Sequence, residues 1–547
     1  MVRKILCRST SIANASDSPF QRIQDFTSFD IKQYYCGNDE LTEVISTFVQ
    51  PFDLAKGPLI RVGLLETASG SYYLLTDLHH IITDGVSQGF LVNEFMTLYN
   101  GGSLPELILQ YKDYAEWQQG AAQQEEIARQ KAYWLNAFAE PSPVLELPTD
   151  HPRPMVSSHK GGSIDFKLEK QELVRLRQLA NEQGTTMYMV VLSLFNVLLS
   201  KLSNQEDIVV GTLTAGRSHP DVEEMIGMFV NTLALRSYPT GGQSFTDFLT
   251  SVSKTTVSAF DNQSYPYEDL VDELKLTRDT SRNPLFDIMF SWQNFEESSL
   301  TMSNVEVSQV ATGIEVSKFD MTLTALEYDD RINLGFQYAA DLFEEDTIAQ
   351  FVSYFHRIVK AVATDATIRL AEISILSDTE KHQLLVDFND TKSVFGYDTV
   401  LAGFAKQVKL TPQGIAMTHH DRQVTYADVD KYSDQVAAYL QTREGVQSGD
   451  VVALMADRSP EVIIGMIGIL KSGAAYVPVD PLQPVLRVQH MLNDCGTKIL
   501  LTTVTTIAKL PEQVRELSVG SCLNAQVVSQ ETTVVKQSDL AYVIYTS

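Results

Sequence analysis

The apolar run Tyr72-Tyr73-Leu74-Leu75-Thr76-Asp77-Leu78 ends in His79-His80-Ile81-Ile82-Thr83-Asp84-Gly85, and helical spacing begins at once behind it. A short apolar run predicts a buried strand. Val86, Phe90, Leu91, Phe95, Leu98 and Tyr99 fall near one face at a 3.6-residue period, which predicts a helix. Two histidines are thus delivered to a strand end just before a helix N-terminus. A neutral imidazole can accept or pass a proton near neutral pH. Gly85 lets a backbone N–H approach a substrate oxygen, and the helix start behind it favours negative charge. On the residues alone, His79 and His80 stand equally as a proton-handling pair and as a packed structural pair. A metal site is a third reading, but no further His/Cys/Asp/Glu cluster nearby has ligand spacing.

The 547 residues suffice for several compact units. A formal net charge of −27 argues against nucleic acid or an anionic membrane as the main partner, since both need basic surface. Cys7, Cys36, Cys495 and Cys522 are scattered and make neither a disulfide framework nor a CxxC site. Thiols in a reducing compartment are the expectation. The start, Met1 to Ser9, has no long apolar stretch after its basic residues, and no run is long enough to span a bilayer. The best candidate, Val462 to Leu470, is short and flanked by Glu461 and Lys471. A cytoplasmic protein is expected.

Strand and helix signals mix along the chain. Leu147 to Pro154 is a proline-rich crossing, followed by polar loop to Gly162. Phe166 to Gly184 is charged and periodic, which predicts an amphipathic helix; Met187 to Leu202 predicts a buried one. Ile208 to Gly211 and Val451 to Met455 read as strands, and Ser459-Pro460 as a helix start. There is no repeat of solenoid type.

The His-His segment resembles the HHxxxDG motif of nonribosomal peptide synthetase condensation domains. Further matches follow in that family's order. Tyr111 to Trp117 is similar to YxDxAxW, and Gly211 to Arg217 and Ile226 to Leu233 to its central pair of motifs. Asn262 to Glu268 resembles NQDYPFE, Arg278 to Asp287 RDxSRNPLFD, and Lys318 to Leu323 KFDLTL. The last third resembles an adenylation domain: Val424 to Val429 its opening, Leu470 to Pro481 its LKAGxAYVPIDP segment, and Leu540 to Ser547 the lead-in to YTSGSTGxPKG. Ordered matches are far more specific than one pattern.

The resemblance implies an α/β (α+β) chain. Residues 1–155 and 156–374 would be two chloramphenicol-acetyltransferase-like lobes, 375–397 a linker, and 398–547 part of an ANL-type adenylation N-terminal subdomain. Phosphopantetheine arms of upstream and downstream peptidyl carrier domains would bring aminoacyl or peptidyl thioester substrates into a tunnel, where amine attack makes an amide. By this resemblance His80 is the catalytic histidine, as base or orienting group. The Gly85 N–H would stabilise the oxyanion. Asp84 would pair with an arginine, for which Arg217 is the candidate, and His79 would pack against the fold. Asn231 and Ser281 either line the tunnel or satisfy buried backbone groups. Tyr111, Trp117, Tyr265 and Phe286 are expected in the core.

Family members begin before the point matched by Met1, and Pro19 to Ile23 already resembles a later strand, so the first lobe is expected to lack strands and a helix. ATP and Mg would serve only a complete adenylation domain; none of that activity is expected of this chain alone. A fragment of a longer synthetase and a broken gene both fit. Epimerization is the rival chemistry, and a remnant that only binds carrier protein is the non-catalytic rival. Ile81-Ile82-Thr83 and Gly85-Val86-Ser87 look more like domains taking an L-configured donor.

Overall fold

The computed structural model describes residues 9–14, 19–23, 30–37, 40–276, 279–293, 301–302, 305–308, 310, 316–328, 331–394, 396–503, 510–526 and 533–546. Cys7, with the basic start, and Arg278 and Ser547 lie outside the described residues. The chain forms two units, Met1–Asp387 and Phe388–Ser547, and the division falls inside the 375–397 segment.

The first unit opens with an antiparallel pair, β1 (Ser9–Asn14) and β2 (Pro19–Ile23). Then come β3 (Ile31–Cys36), α1 (Leu41–Phe48), β4 (Ile60–Thr67) and β5 (Tyr72–Leu78). Their sheet runs β3-β4-β5, with β3 parallel and β5 antiparallel to β4. The predicted strand is present as β5, but it is not buried: Tyr72 is 62% and Leu74 49% exposed. The sheet packs on one face only. A Cβ on Gly63 would lie 2.9 Å from the Phe48 ring of α1. Leu64 and Leu74, paired across the strands, occupy the open face. Three helices follow: α2 (Gly85–Tyr99), α3 (Tyr111–Gln118) and α4 (Ala121–Ala137).

The rest of this unit is built on a six-stranded sheet. Its elements are β6 (Gly161–Lys167), α5 (Lys170–Glu182), α6 (Met187–Ser203), β7 (Ile208–Thr214) and β8 (Asn231–Ser237). Next are α7 (Phe245–Asp261), α8 (Tyr267–Glu273), β9 (Ile288–Gln293), β10 (Thr301–Met302) and β11 (Val305–Glu306). Last are β12 (Met321–Glu327), β13 (Ile332–Ala339), α9 (Glu345–Thr364) and α10 (Asp378–Leu385). The strand order is β6-β13-β12-β9-β7-β8. The single helix read over Phe166 to Gly184 is corrected. Phe166 pairs with Leu334 in β6, where exposed Ser163, Asp165 and Lys167 alternate with half-buried neighbours. The helix starts only at Lys170, where Glu169 and Glu172 form a reciprocal capping box.

Helix α6 is the core of this unit. Every residue from Val190 to Leu199 is buried, between α5, α7 and α9. Truncating Leu198 here will cost about 2–5 kcal/mol, since so tight a site cannot collapse fully. Among the described residues, no single helix is long and apolar enough to cross a membrane.

The second unit comprises α11 (Val400–Leu410), the hairpin β14 (Ile415–His419) and β15 (Arg422–Thr425), and α12 (Tyr426–Arg443). It continues with β16 (Val451–Met455), α13 (Pro460–Lys471), β17 (Ala475–Val479) and α14 (Val485–Asp494). It ends with β18 (Ile499–Thr502), β19 (Arg515–Ser518) and α15 (Val519–Asn524). The sheet β17-β16-β18-β19 is wholly parallel. Its strand β16 is the buried run read from Val451 to Met455, and Pro460 opens α13 behind N-cap Ser459.

Candidate active site

Between β5 and α2 the chain makes one 3-10 turn, His80–Ile82. The two histidines part company here. His79 is held: its N–H donates to the Leu59 carbonyl at 3.1 Å, and its ring packs edge-on against Phe52. Its Nδ1 accepts the Ile81 N–H at 3.1 Å, which caps the turn and leaves the proton of the neutral ring on Nε2. His80 is exposed, and its ring hydrogen-bonds to no described residue. Its imidazole is therefore available to a substrate.

Gly85 is the first residue of α2 and is also exposed. A first-turn N–H has no acceptor within its helix, so this donor faces outward. Asp84 is the N-cap and is fully enclosed. Its Oδ1 accepts the Ser87 N–H at 2.7 Å. Its Oδ2 accepts the Phe229 N–H at 3.1 Å, from a distant part of the chain. Arg217 Nη2 lies 3.2 Å from Asp84 Oδ1 and 2.8 Å from Ser87 Oγ. Arg217 Nη1 donates to the carbonyls of Val222 and Met225, both at 2.6 Å, and the guanidinium stacks 4.2 Å over the Phe229 ring. Burial pulls this guanidinium below its ordinary pKa and Asp84 opposes the shift; an arginine stays charged regardless.

Two glycines let the 216–229 loop approach so closely. Gly216 has φ +65°, and a Cβ there would sit 1.9 Å from the Phe229 carbonyl oxygen. A Cβ on Gly227 would sit 2.1 Å from the Tyr111 ring. The Tyr111 hydroxyl donates to the Met228 carbonyl at 2.6 Å, and burial pushes its pKa up to about 12. So the junction bearing His80 and Gly85 rests on a buried polar clamp closed by α3.

The condensation-domain family matches residues 8–385, well over half of the chain. The chain belongs to the condensation-domain family. The AMP-binding enzyme family matches residues 404–547. Gramicidin S synthase 2 of Brevibacillus brevis is 41% identical over 542 residues, 98% of this chain and 12% of the relative. Tyrocidine synthase 3 of Brevibacillus parabrevis is 42% identical over 546 residues, covering 98% of this chain and 8% of its own length. The chain thus spans a small part of these relatives. Among solved structures, holo-AB3403, a four-domain nonribosomal peptide synthetase bound to AMP and glycine, superposes with a TM-score of 0.78 at 26% identity. That match covers 100% of this chain and 43% of the other. The condensation domain of the Monacolin K polyketide synthase MokA shares the fold, with a TM-score of 0.59 at 20% identity over 67% of this chain and 87% of that one.

The condensation domain gathers His79, His80, Asp84, Gly85 and Arg217 at one junction. Asn231 and Ser281 are not in that cluster of contacts. Asn231 Nδ2 donates to the Gln263 and Tyr265 carbonyls at 2.8 and 2.7 Å, and Oδ1 accepts from Thr232 and Tyr267 N–H groups. All its hydrogen-bonding capacity is spent on backbone. Ser281 Oγ donates to Asp279 Oδ1 at 2.7 Å in a local turn. Tyr265 and Phe286 are core residues, but Trp117 is 47% exposed on the surface helix α3 and rests on Tyr114. Ser87 and Gly227 complete the clamp, and nothing local in the sequence brings these two positions together. Among the described residues, no group of three His, Cys, Asp or Glu side chains is placed to hold a metal.

Proposed function

We propose that residues 8–385 form an amide bond between a donor peptidyl or aminoacyl thioester and an acceptor aminoacyl thioester, both carried on phosphopantetheine arms, within a larger synthetase. The observation that carries this reading is the exposed His80 imidazole beside a buried clamp in which Asp84, Ser87 and Arg217 bond one another. The acceptor amine attacks the thioester carbon, the C–N bond forms, and the Gly85 N–H meets the oxyanion. His80 orients the amine or takes its proton. The C–S bond then breaks and the donor thiolate leaves with that proton. Tethering both substrates supplies much of the rate by positioning. The arms are substrates, and upstream and downstream carrier domains are the partners. A cytoplasmic location belongs to the same reading, supported by free thiols at Cys36, Cys495 and Cys522.

Epimerization uses the same histidine pair, but the AMP-binding match that follows at 404–547 favours condensation. The test is mass spectrometry, with chiral analysis of the released amino acids, of carrier-bound products when donor and acceptor carriers, each loaded with a panel of the twenty amino acids, meet the protein. A dipeptidyl carrier is the expected product; inversion of one substrate without coupling would contradict the proposal.

A further inference from the structure

We propose that Ser87 is a positioning residue for condensation, setting the place of the His80 turn through a hydroxyl that ties α2 to the 216–229 loop. This rests on the condensation reading above. Ser87 lies in the first turn of α2, two residues after Gly85, and is 0% exposed. Its N–H closes the Asp84 cap. Its hydroxyl is used at every valence. It donates to the Gly227 carbonyl at 2.9 Å and accepts from the Gly227 N–H at 3.1 Å, from a residue 140 positions away. Its remaining acceptor site takes Arg217 Nη2 at 2.8 Å, shorter than either contact of that nitrogen with Asp84.

The geometry divides the work of the clamp. Asp84 supplies charge, but its carboxylate is met by N–H groups and a guanidinium only. Ser87 alone of the pair can also donate, and so it fixes both backbone groups of Gly227. Gly227 in turn is pinned against Tyr111, with no room for a side chain. Register between α2 and the loop is therefore read at one hydroxyl. The His80–Ile82 turn is closed by the Thr83 N–H donating to the His80 carbonyl at 3.2 Å, and only Thr83 and the N-cap Asp84 separate it from Gly85, so a shift of the helix start moves His80 and Gly85 together. Displacing reacting groups by about 1 Å can cost about 10²-fold in rate.

The experiment measures condensation on carrier-bound aminoacyl thioesters, panel-loaded as above, normalised to folded protein. Ser87→Ala is expected to lower kcat about 10–100-fold with KM for both carriers unchanged. In a His80→Ala background the same change is expected to cost less than in the wild type, the remainder acting through Gly85. Ser87→Cys, nearly isosteric with a weak donor, gives the same kcat-only loss and decides the matter if Ser87→Ala does not fold. Wild-type kcat in folded Ser87→Ala or Ser87→Cys overturns the positioning role while leaving condensation intact. An undiminished Ser87 effect in the His80→Ala background overturns it too. A wild-type protein without condensation overturns the underlying reading, and this inference with it.

Discussion

Asp84 and Arg217, 133 positions apart in the chain, meet as an ion pair with both side chains withdrawn from water: 0% and 6% exposed, Nη2 to Oδ1 3.2 Å. Buried pairs of this kind lose solvation energy, a loss that only good geometry and further hydrogen bonds offset. Here the Ser87 and Phe229 N–H groups complete the carboxylate, and three carbonyls receive Arg217 Nη1. Removing one member leaves the other charged and enclosed. Arg217→Ala will therefore destabilise the first unit by about 3–5 kcal/mol, read from the urea midpoint. Arg217→Lys will not restore stability, because an ammonium cannot reach both the carboxylate and the carbonyls. Wild-type stability in Arg217→Lys would show that charge alone suffices.

The loop's glycines carry their own expectation. Gly227→Ala must displace the Tyr111 ring or the loop, and overpacking of this kind costs about 1–3 kcal/mol. Gly216→Ala meets a carbonyl oxygen at a left-handed φ and has no flexible neighbour to move. Thermal melts will place Gly216→Ala below Gly227→Ala; the reverse order would mean that the loop relaxes around Gly216.

Acid will loosen α10 before the core. Hydrogen bonding to Ser377, with Arg357 nearby at 3.0 Å, holds the Glu380 carboxyl down at about 2 from an ordinary 4.5. A depressed carboxylate contributes stability above its unfolded pKa and loses it as pH falls through the folded one. The contribution of Glu380 is thus complete above about 4.5 and gone near about 2. Hydrogen exchange in α10 of the wild type and Glu380→Gln will differ above that window and converge at its lower end. A constant difference across it would refute the assignment.

Cys522 should be inert in the native protein. It is 0% exposed, and burial pushes its thiol up to about 12, so almost no thiolate exists at pH 8. Peptide mapping after iodoacetamide treatment is expected to find Cys522 alkylated only after denaturation.

The sequence made the junction legible because strand, histidines and helix are contiguous there, and local periodicity reports local structure. It misjudged β5, since an apolar run cannot say whether one sheet face or both are covered. It merged β6 with α5 because alternation over Gly161–Lys167 is short, and only pairing with β13 makes it a strand. Ser87 and Gly227 escaped notice for a related reason. A serine in a first helical turn is ordinary until the fold brings a backbone from 140 positions away against it.

The most direct measurement is single-turnover formation of the carrier-bound dipeptide by the wild type and by His80→Ala, followed by mass spectrometry. His80 is exposed and bonded to no described side chain, so its removal will leave the urea midpoint unchanged. Loss of a general base or orienting group is expected to slow the chemical step by about 10²–10⁴-fold. Equal rates in the two proteins would contradict a catalytic His80.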